Sequence, residues 1–364
     1  MQQNLEESMP TGTISKAFIE LGHFIDQVLS DTDYHKTINT SLNHEDVLQF
    51  HDLVENVHAY NPWFIPEFVK TSLRSIRQML DEEELHQWLN KYSIPQQKEK
   101  PKKIGVVMAG NIPLVGFHDF MCVLLSGHAL QVKTSSKDEK LITFLTSVLT
   151  RIEPSLSDKI EFTGILKNFD AVIATGSDNS ARYFDYYFGK YPNIIRKNRT
   201  SAAVLNGKEE MPELEKIADD TLLYFGLGCR NVSKLFLPAG YDPTRLFSAF
   251  EKYSYLANHH KFMNNHDYNR SVYLVNSIPH LDNGFIIMKE DEELFSPLSV
   301  VFYEFYKNRS HLIEKLKTNH ELLQCIVSTG KLDGLPSVLP GRAQFPGPGE
   351  YADNVDTMKF LLSL

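Results

Sequence analysis

The sequence is poor in cysteine and tryptophan, carries no excess of positive charge and contains no long apolar run. Three cysteines, an odd number with no C-x-x-C pair, exclude a disulfide framework and a cysteine zinc site and fit a reducing compartment. No other metal site is expected, because His259, His260 and His266 lie close together without a carboxylate or cysteine at zinc spacing. The formal net charge of -9 and pI near 5.9 give neither nucleic acid nor an anionic membrane an overall attraction. Any anionic ligand must therefore be met by local positive groups. No stretch reaches the about 18 apolar residues of a membrane span. The opening, rich in Gln, Glu, Ser and Asn, lacks the basic-then-apolar plan of a signal peptide, so the expectation is a cytoplasmic protein. A G-x-G-x-x-G dinucleotide fingerprint is also missing, as are internal repeats and low-complexity tracts.

What is present is an ordinary globular composition, 42% hydrophobic and 23% charged over 364 residues, long enough for two or three domains. Residues 1 to about 12 look disordered. Apolar spacing then predicts amphipathic helices through Ile14–Val28, Val47–Val57 and, after Pro66 at a helix start, Phe68–Leu80. A solvated, lysine-rich stretch over 95–103 leads into a different texture. Apolar runs at 104–108, 129–132, 170–174 and 202–205 read as strands, and 114–125, 139–149 and 179–188 as helices. That is the alternation of a mainly parallel α/β sheet covered on both faces. Such sheets bind ligands outside the carboxyl ends of their strands, which singles out the loops at 109–113, 133–136 and 175–177. The alternation continues with strands at 272–275, 284–288 and 300–305 and helices at 243–257 and 310–317. The stretch 339–350 has too many Pro and Gly for a regular element.

Between these halves lies Leu222-Leu-Tyr-Phe-Gly-Leu-Gly-Cys-Arg-Asn-Val-Ser-Lys-Leu-Phe-Leu237. Helical spacing through Leu214, Ile217, Ala218, Leu222 and Phe225 breaks at Gly226 and Gly228, so Cys229 leaves a helix on a Gly-flanked loop and a strand follows at once. Small neighbours would let a planar carbonyl approach the thiol, and Arg230 favours the thiolate. Helix carbonyls aimed at the sulfur oppose it. Local sequence fits a nucleophile and a buried structural cysteine about equally. Cys122 and Cys325, in apolar periodic runs, are expected to be buried and inert. His118, just after the Asn111 loop, reads as a helix-face histidine or a proton donor. Phe117, Phe120, Tyr224 and Phe225 could line a tunnel or fill a core.

Three segments, in order and at compatible spacing, resemble the aldehyde dehydrogenase superfamily. The first is Ile104-Gly-Val-Val-Met-Ala-Gly-Asn-Ile-Pro113 with Leu125-Ser-Gly-His-Ala-Leu-Gln-Val-Lys-Thr-Ser-Ser136; the second is the Cys229 stretch; the third is Glu292-Glu-Leu-Phe-Ser-Pro-Leu298. Within that superfamily the short chain, the Gly-Asn-Ile-Pro loop and the Pro-Gly-Arg segment near the end look most like the fatty acyl-CoA reductases (LuxC-type). The resemblance implies an α/β fold of three parts. These are a helical N-terminal region (1–100), a Rossmann-like nucleotide-binding domain (101–206) and an α/β catalytic domain carrying the thiol (207–335), with a C-terminal segment (336–364) packing back on the body. It also implies roles: Cys229 as nucleophile, Asn111 as oxyanion donor, Lys133 on the adenosine ribose and Glu293 on the nicotinamide ribose. Thr175, Gly176 and Ser177 would open a helix whose N-terminal N–H groups suit a pyrophosphate. Apart from the resemblance, Asn111 and Ser177 would serve as turn and cap residues, and Lys133 and Glu293 as surface charges.

Where hydrolytic aldehyde dehydrogenases carry a Glu-Leu-Gly-Gly segment whose glutamate activates water, this chain reads Arg196-Lys-Asn-Arg-Thr-Ser-Ala-Ala-Val204. A thioester without that base is passed to a thiol or a hydride instead of to water. The expected activity is NAD(P)H-dependent reduction of an acyl-CoA, fatty acyl by the resemblance, to the aldehyde. The alternatives are an aldehyde or acyl-phosphate dehydrogenase of the same fold, or a non-catalytic acyl-handling subunit. Ser136 stands where the family's glutamate would repel a 2′-phosphate, so NADPH is expected over NADH, with Ser136, Lys133 and Lys137 near that group. Arg196, Lys197 and Arg199 read as a solvated run or as an attractor of CoA phosphate. The resemblance further implies a homo-oligomer.

Overall fold

The computed structural model describes residues 12–30, 43–95, 98, 100–176 and 178–364, with 178–181 described through the backbone alone. The disorder expected at the start and the role expected of Ser177 lie outside the described residues. The chain divides into two compact units, Met1–Lys197 with Pro346–Leu364, and Asn198–Phe345.

The first unit opens with helices α1 (Gly12–Leu29), α2 (His44–Asn56), α3 (Pro66–Met79) and α4 (Glu82–Leu89). The expected apolar stripe of α1 is buried at Phe18, Leu21, Ile25 and Val28. Pro66 occupies the first turn of α3, where a missing N–H costs nothing. The exposed acidic run at 82–84 opens α4: Asp81 caps the helix by accepting from the N–H groups of Glu83 and Glu84, and the acids sit at the positive end of the helix dipole. The alternation follows as β1 (Lys103–Val107), α5 (Phe117–Leu125), β2 (Ala129–Lys133), α6 (Glu139–Ile152), β3 (Ile160–Phe162), β4 (Ala171–Thr175), α7 (Asp178–Phe188) and β5 (Asn193–Arg196). These strands form a parallel sheet ordered β3-β2-β1-β4-β5. The chain moves outward from β1 on one side and returns to β4 on the other, so the topological switch point lies between β1 and β4. Helix α5 begins three residues later than its apolar spacing suggests, because Leu114 adopts a left-handed conformation (φ 57°).

The second unit contains β6 (Thr200–Val204), α8 (Met211–Leu222), β7 (Val232–Pro238), α9 (Arg245–Phe250), α10 (His260–Val275), β8 (Leu281–Asp282), β9 (Ile287–Glu290), β10 (Val300–Tyr306), α11 (Arg309–Thr318) and β11 (Leu323–Ser328). Its sheet runs β11-β6-β7-β10-β9-β8, parallel except for the β8/β9 pair. The apolar run at 202–205 therefore belongs to this second sheet and not to the first. Residues 272–275 are the last turn of α10, not a strand: Leu274 and Val275 are 59% and 84% exposed, so their apolar character mimics a strand without any burial behind it.

The C-terminal stretch rejoins the first unit and ends in α12 (Thr357–Leu362), whose Met358 and Leu361 are fully buried in the core shared by α1–α4 and the first sheet.

Candidate active site

In the first unit, β1, β2 and β4 release their loops at the same carboxyl edge. The loop after β1 carries Asn111 exposed at its tip, and Lys133 and Ser136 are exposed at the end of β2 and just beyond. Thr175 and Gly176 are half-buried at the end of β4, leading into α7. The first two loops are fastened together. Met108 N–H donates to the Lys133 carbonyl at 3.0 Å, and Leu114 N–H donates to Asp138 Oδ2 at 2.6 Å. A Cβ on Gly110 would fall 2.5 Å from Ser135 Oγ, so only glycine permits this approach. The N-terminal region buttresses both: Ser72 Oγ of α3 donates to the Pro113 carbonyl at 2.7 Å, and Asn61 Nδ2, from the loop before α3, donates to the Lys137 carbonyl at 3.2 Å.

In the second unit the α-helix preceding Cys229 ends at Leu222, earlier than the apolar spacing implied. Tyr224 (φ 55°), Phe225 (φ 58°) and Gly226 (φ 77°) are consecutively left-handed. For the two non-glycine residues this costs about 1 to 3 kcal/mol each and persists only where the surroundings over-determine it. Buried Phe225 packs on the rings of His259 and Phe262, at centroid distances of 4.3 and 5.7 Å. Asn231 does the rest. Its Oδ1 accepts from Gly228 N–H at 2.8 Å, and its Nδ2 approaches the carbonyls of Asp220, Thr221 and Leu223 at 3.2, 3.3 and 2.8 Å. A helix end leaves such carbonyls unpaired, and here one amide both terminates α8 and closes the turn 228–231 that carries half-buried Cys229. The carbonyls set against the thiolate in the sequence are thus engaged by Asn231.

Around this turn, Ser201 Oγ of β6 donates to the Cys229 carbonyl at 3.0 Å and lies 3.1 Å from Cys325 Sγ. Burial pushes the Cys325 thiol up to about 11, although the residue as a whole is only half-buried. Asp220, in the last turn of α8, is fully buried; its two oxygens accept from Gly341 and Ala343 N–H at 2.7 and 3.0 Å, and Arg230 Nη1 donates to the Ala343 carbonyl at 3.1 Å. Burial raises the Asp220 carboxyl to about 7 against the lowering effect of those N–H groups. The Pro-Gly-Arg segment is thereby tied to the helix leading to Cys229.

Glu293 is exposed on a turn in which its own N–H donates to Asp291 Oδ1 at 3.0 Å. That turn is held to the strand following Cys229: Ser233 Oγ donates to the Leu294 carbonyl at 2.6 Å and Lys234 Nζ donates to the Asp291 carbonyl. Lys234 is completely buried and pairs with Glu304 at 3.0 Å. The first residues of β7 thus anchor the Glu293 turn to the strand that follows the Cys229 turn.

One sequence expectation changes here, and the structure decides between others. Arg196 is no attractor of CoA phosphate: it is buried, paired with Asp119, and donates to the Ala352 carbonyl at 2.8 Å and to Thr357 Oγ1 at 3.2 Å. His118 Nε2 lies 2.8 Å from the Pro348 carbonyl, a helix-face contact. Among the described residues no group of His, Cys, Asp and Glu could hold a metal ion; His259 caps α10 and His266 pairs with Asp282 at 2.9 Å. Cys122 is fully buried and its thiol is pushed well up by that burial. Phe117, Phe120, Tyr224 and Phe225 are all buried. Sequence reasoning passed over Asn231, Ser201, Asp220 and Asp138. An Asn closing a Gly-x-Gly turn at a helix end was the one available cue.

The sequence profile described as acyl-CoA reductase (LuxC) matches residues 16–244, well over half of the chain. The chain belongs to this acyl-CoA reductase family. Family membership makes it an oxidoreductase, and its two parallel sheets have the aldehyde dehydrogenase fold. Aldehyde dehydrogenase 21 of Physcomitrella patens, solved with succinate, superposes with TM-score 0.60 at 11% identity, covering 95% of this chain and 84% of that one. An acetylating aldehyde dehydrogenase of Geobacillus thermoglucosidasius gives 0.57 at 8% identity, covering 99% and 92%. A Mycobacterium tuberculosis aldehyde dehydrogenase complexed with NAD+ gives 0.57 at 12%, covering 87% and 74%. At such identities the likeness is one of fold alone. No curated protein matches the sequence.

Proposed function

We propose that this acyl-CoA reductase forms an acyl thioester on Cys229 and releases it as aldehyde at the expense of a reduced nicotinamide nucleotide. The observation that carries this reading is what the segment 196–204 brings to the Cys229 turn: a serine hydroxyl, from Ser201, and no carboxylate. The nearby buried carboxyl, Asp220, has both oxygens engaged by backbone N–H groups and is unsuited to activate water.

Cys229 Sγ attacks the acyl-CoA carbonyl, with the Asn111 side chain and the Cys229 N–H donating to the oxyanion. The bond to the CoA sulfur breaks, CoA leaves as a thiol after taking up a proton, and the acyl group stays on Cys229. Without a base to activate water, the thioester persists. The residues at the first sheet's carboxyl edge fit a nicotinamide nucleotide: Lys133 and Ser136 are exposed at the end of β2 and just beyond it with no carboxylate at 136, and Thr175-Gly176 lead into α7. Glu293 would hold the nicotinamide ribose. The chemistry supplied by the nucleotide when bound is hydride delivery to the acyl carbon. Cys229 then departs as thiolate when its C–S bond breaks, and the aldehyde leaves. The NAD+ bound to the M. tuberculosis neighbour supports the class of nucleotide. The missing glutamate at 136 favours NADPH. A fatty acyl group, a cytoplasmic location and a homo-oligomer complete the reading.

Incubating the protein with acyl-CoAs of graded chain length, without reduced nucleotide, should add one acyl mass that maps to Cys229 and hydrolyses slowly. Cys229→Ala should form no adduct and show no turnover. An adduct on Cys122 or Cys325, or none with any acyl-CoA, would overturn the mechanism.

A further inference from the structure

We propose that Asp138 is the positioning residue for the oxyanion donor, its carboxyl holding the Leu114 N–H and thereby fixing the turn that presents Asn111. The proposal rests on the role given to Asn111 above.

Asp138 precedes the first residue of α6, where an aspartate ordinarily accepts from N–H groups of its own helix. It makes no such bond. Its Oδ2 turns instead to Leu114 N–H at 2.6 Å, a residue 24 positions away in sequence, and its Oδ1 is buried without a hydrogen-bond partner among the described residues. The side chain has given up its local cap for a contact across two loops.

Leu114 is where that contact is needed. It is buried and left-handed, a conformation that a leucine holds only under constraint, and it follows the Ile-Pro pair that ends the Asn111 loop. The loop is gripped on three sides: Ser72 holds the Pro113 carbonyl, Ser135 closes over Gly110, and Asp138 holds the Leu114 N–H. Of these, only the last two come from the loop that also bears Lys133 and Ser136. Asp138 is 6% exposed, and burial drives its carboxyl well above the ordinary carboxylate range, with the Leu114 N–H pulling the other way. That direction favours the neutral acid, which buries an unpartnered oxygen at lower cost than a carboxylate does. It also makes asparagine a faithful substitute, since the amide carbonyl accepts the same N–H. Leucine has similar volume and no acceptor.

The test uses the full-length protein with acyl-CoA and NADPH in four variants: Asn111→Ala, Asp138→Leu, Asp138→Asn and the double variant Asn111→Ala/Asp138→Leu. Asp138→Leu should lower kcat about 100-fold with KM for acyl-CoA changed less than about 3-fold, the pattern of lost transition-state stabilisation. Asp138→Asn should stay within about 3-fold of wild type. The double variant should be no slower than Asn111→Ala alone, because a residue acting through Asn111 has nothing left to act on. Losses that multiply in the double variant, or an Asp138→Asn as slow as Asp138→Leu, overturn the proposal. Hydrogen exchange at the Leu114 amide, protected in wild type and Asp138→Asn and released in Asp138→Leu, tests the contact without reference to activity, and equal protection in all three refutes it. If wild type turns over acyl-CoA and Asn111→Ala is unimpaired, the fault lies in the role of Asn111 and not in the grip of Asp138.

Discussion

The candidate residues of the first unit and the thiol of the second stand at opposite edges of their own, largely parallel sheets. In the first, Asn111 follows β1 while Lys133 and Thr175 end β2 and β4, on the carboxyl edge where open α/β sheets bind ligands. In the second, Cys229 precedes β7, and Ser201 and Cys325 flank it near the starts of β6 and β11. A carboxyl edge offers loops that run into helices and can brace one another, as those at 109–114 and 134–138 do. An amino edge receives a chain arriving from a helix, so the turn there must end that helix and aim a side chain within a few residues. Asn231 accomplishes both, and this concentrates in one amide what the first unit spreads over Ser72, Asp138, Gly110 and Asn61.

That contrast can be broken most forcefully at Asn231. Asn231→Ala strands three helix-end carbonyls and one N–H, each buried unpaired group costing about 1 to 3 kcal/mol where water cannot replace the bond. The expected loss is about 3 to 5 kcal/mol in the urea unfolding of the second unit, with kcat down about 1,000-fold. A variant of wild-type stability and rate would show that the turn is held some other way.

A smaller effect is expected at Asp220. Its carboxyl is raised from 3.8 to about 7 by burial, so its neutral form is favoured in the folded state. The stability this contributes is fully present below pH 3.8 and is lost as pH rises through about 7. Wild type should therefore lose about 2 to 4 kcal/mol more than Asp220→Asn between pH 4 and pH 8, a tenfold difference in proton affinity between the folded and unfolded chains being worth about 1.4 kcal/mol. Parallel pH profiles for the two proteins would show that Asp220 has no part in the pH response.

The smallest effect is at the carboxyl edge, where groups share their bonds with water. Ser136→Glu should shift the ratio of kcat/KM for NADPH over NADH about 10-fold toward NADH, about 1.4 kcal/mol. A wild type that already favours NADH would contradict the reading of Ser136.

The same contrast explains what was legible in the sequence. Strand ends at the carboxyl edge follow from βαβ alternation, so the loops at 109–113 and 133–136 could be located without any relative in mind. The Cys229 turn could not: its Gly-flanked cysteine suited a core residue equally well, and only resemblance decided. The signals that failed did so for physical reasons. Leu274 and Val275 are apolar but exposed, which made a helix end look like a strand. Arg196 is charged yet buried, because Asp119, far away in sequence, neutralises it. Asn231 and Asp138 act through contacts to backbone groups across loops, and a single side chain in sequence does not announce such partners.

The return of the chain to its first unit has a consequence for biosynthesis. The core of that unit is closed by Met358 and Leu361 of α12, and buried Arg196 donates to the Ala352 carbonyl and to Thr357 Oγ1. Those residues emerge from the ribosome only after the whole of Asn198–Phe345 has been made. The second unit, continuous in sequence, can therefore finish folding while the first still waits with part of its apolar interior uncovered, and it is the earlier-made half that needs protection from aggregation during synthesis.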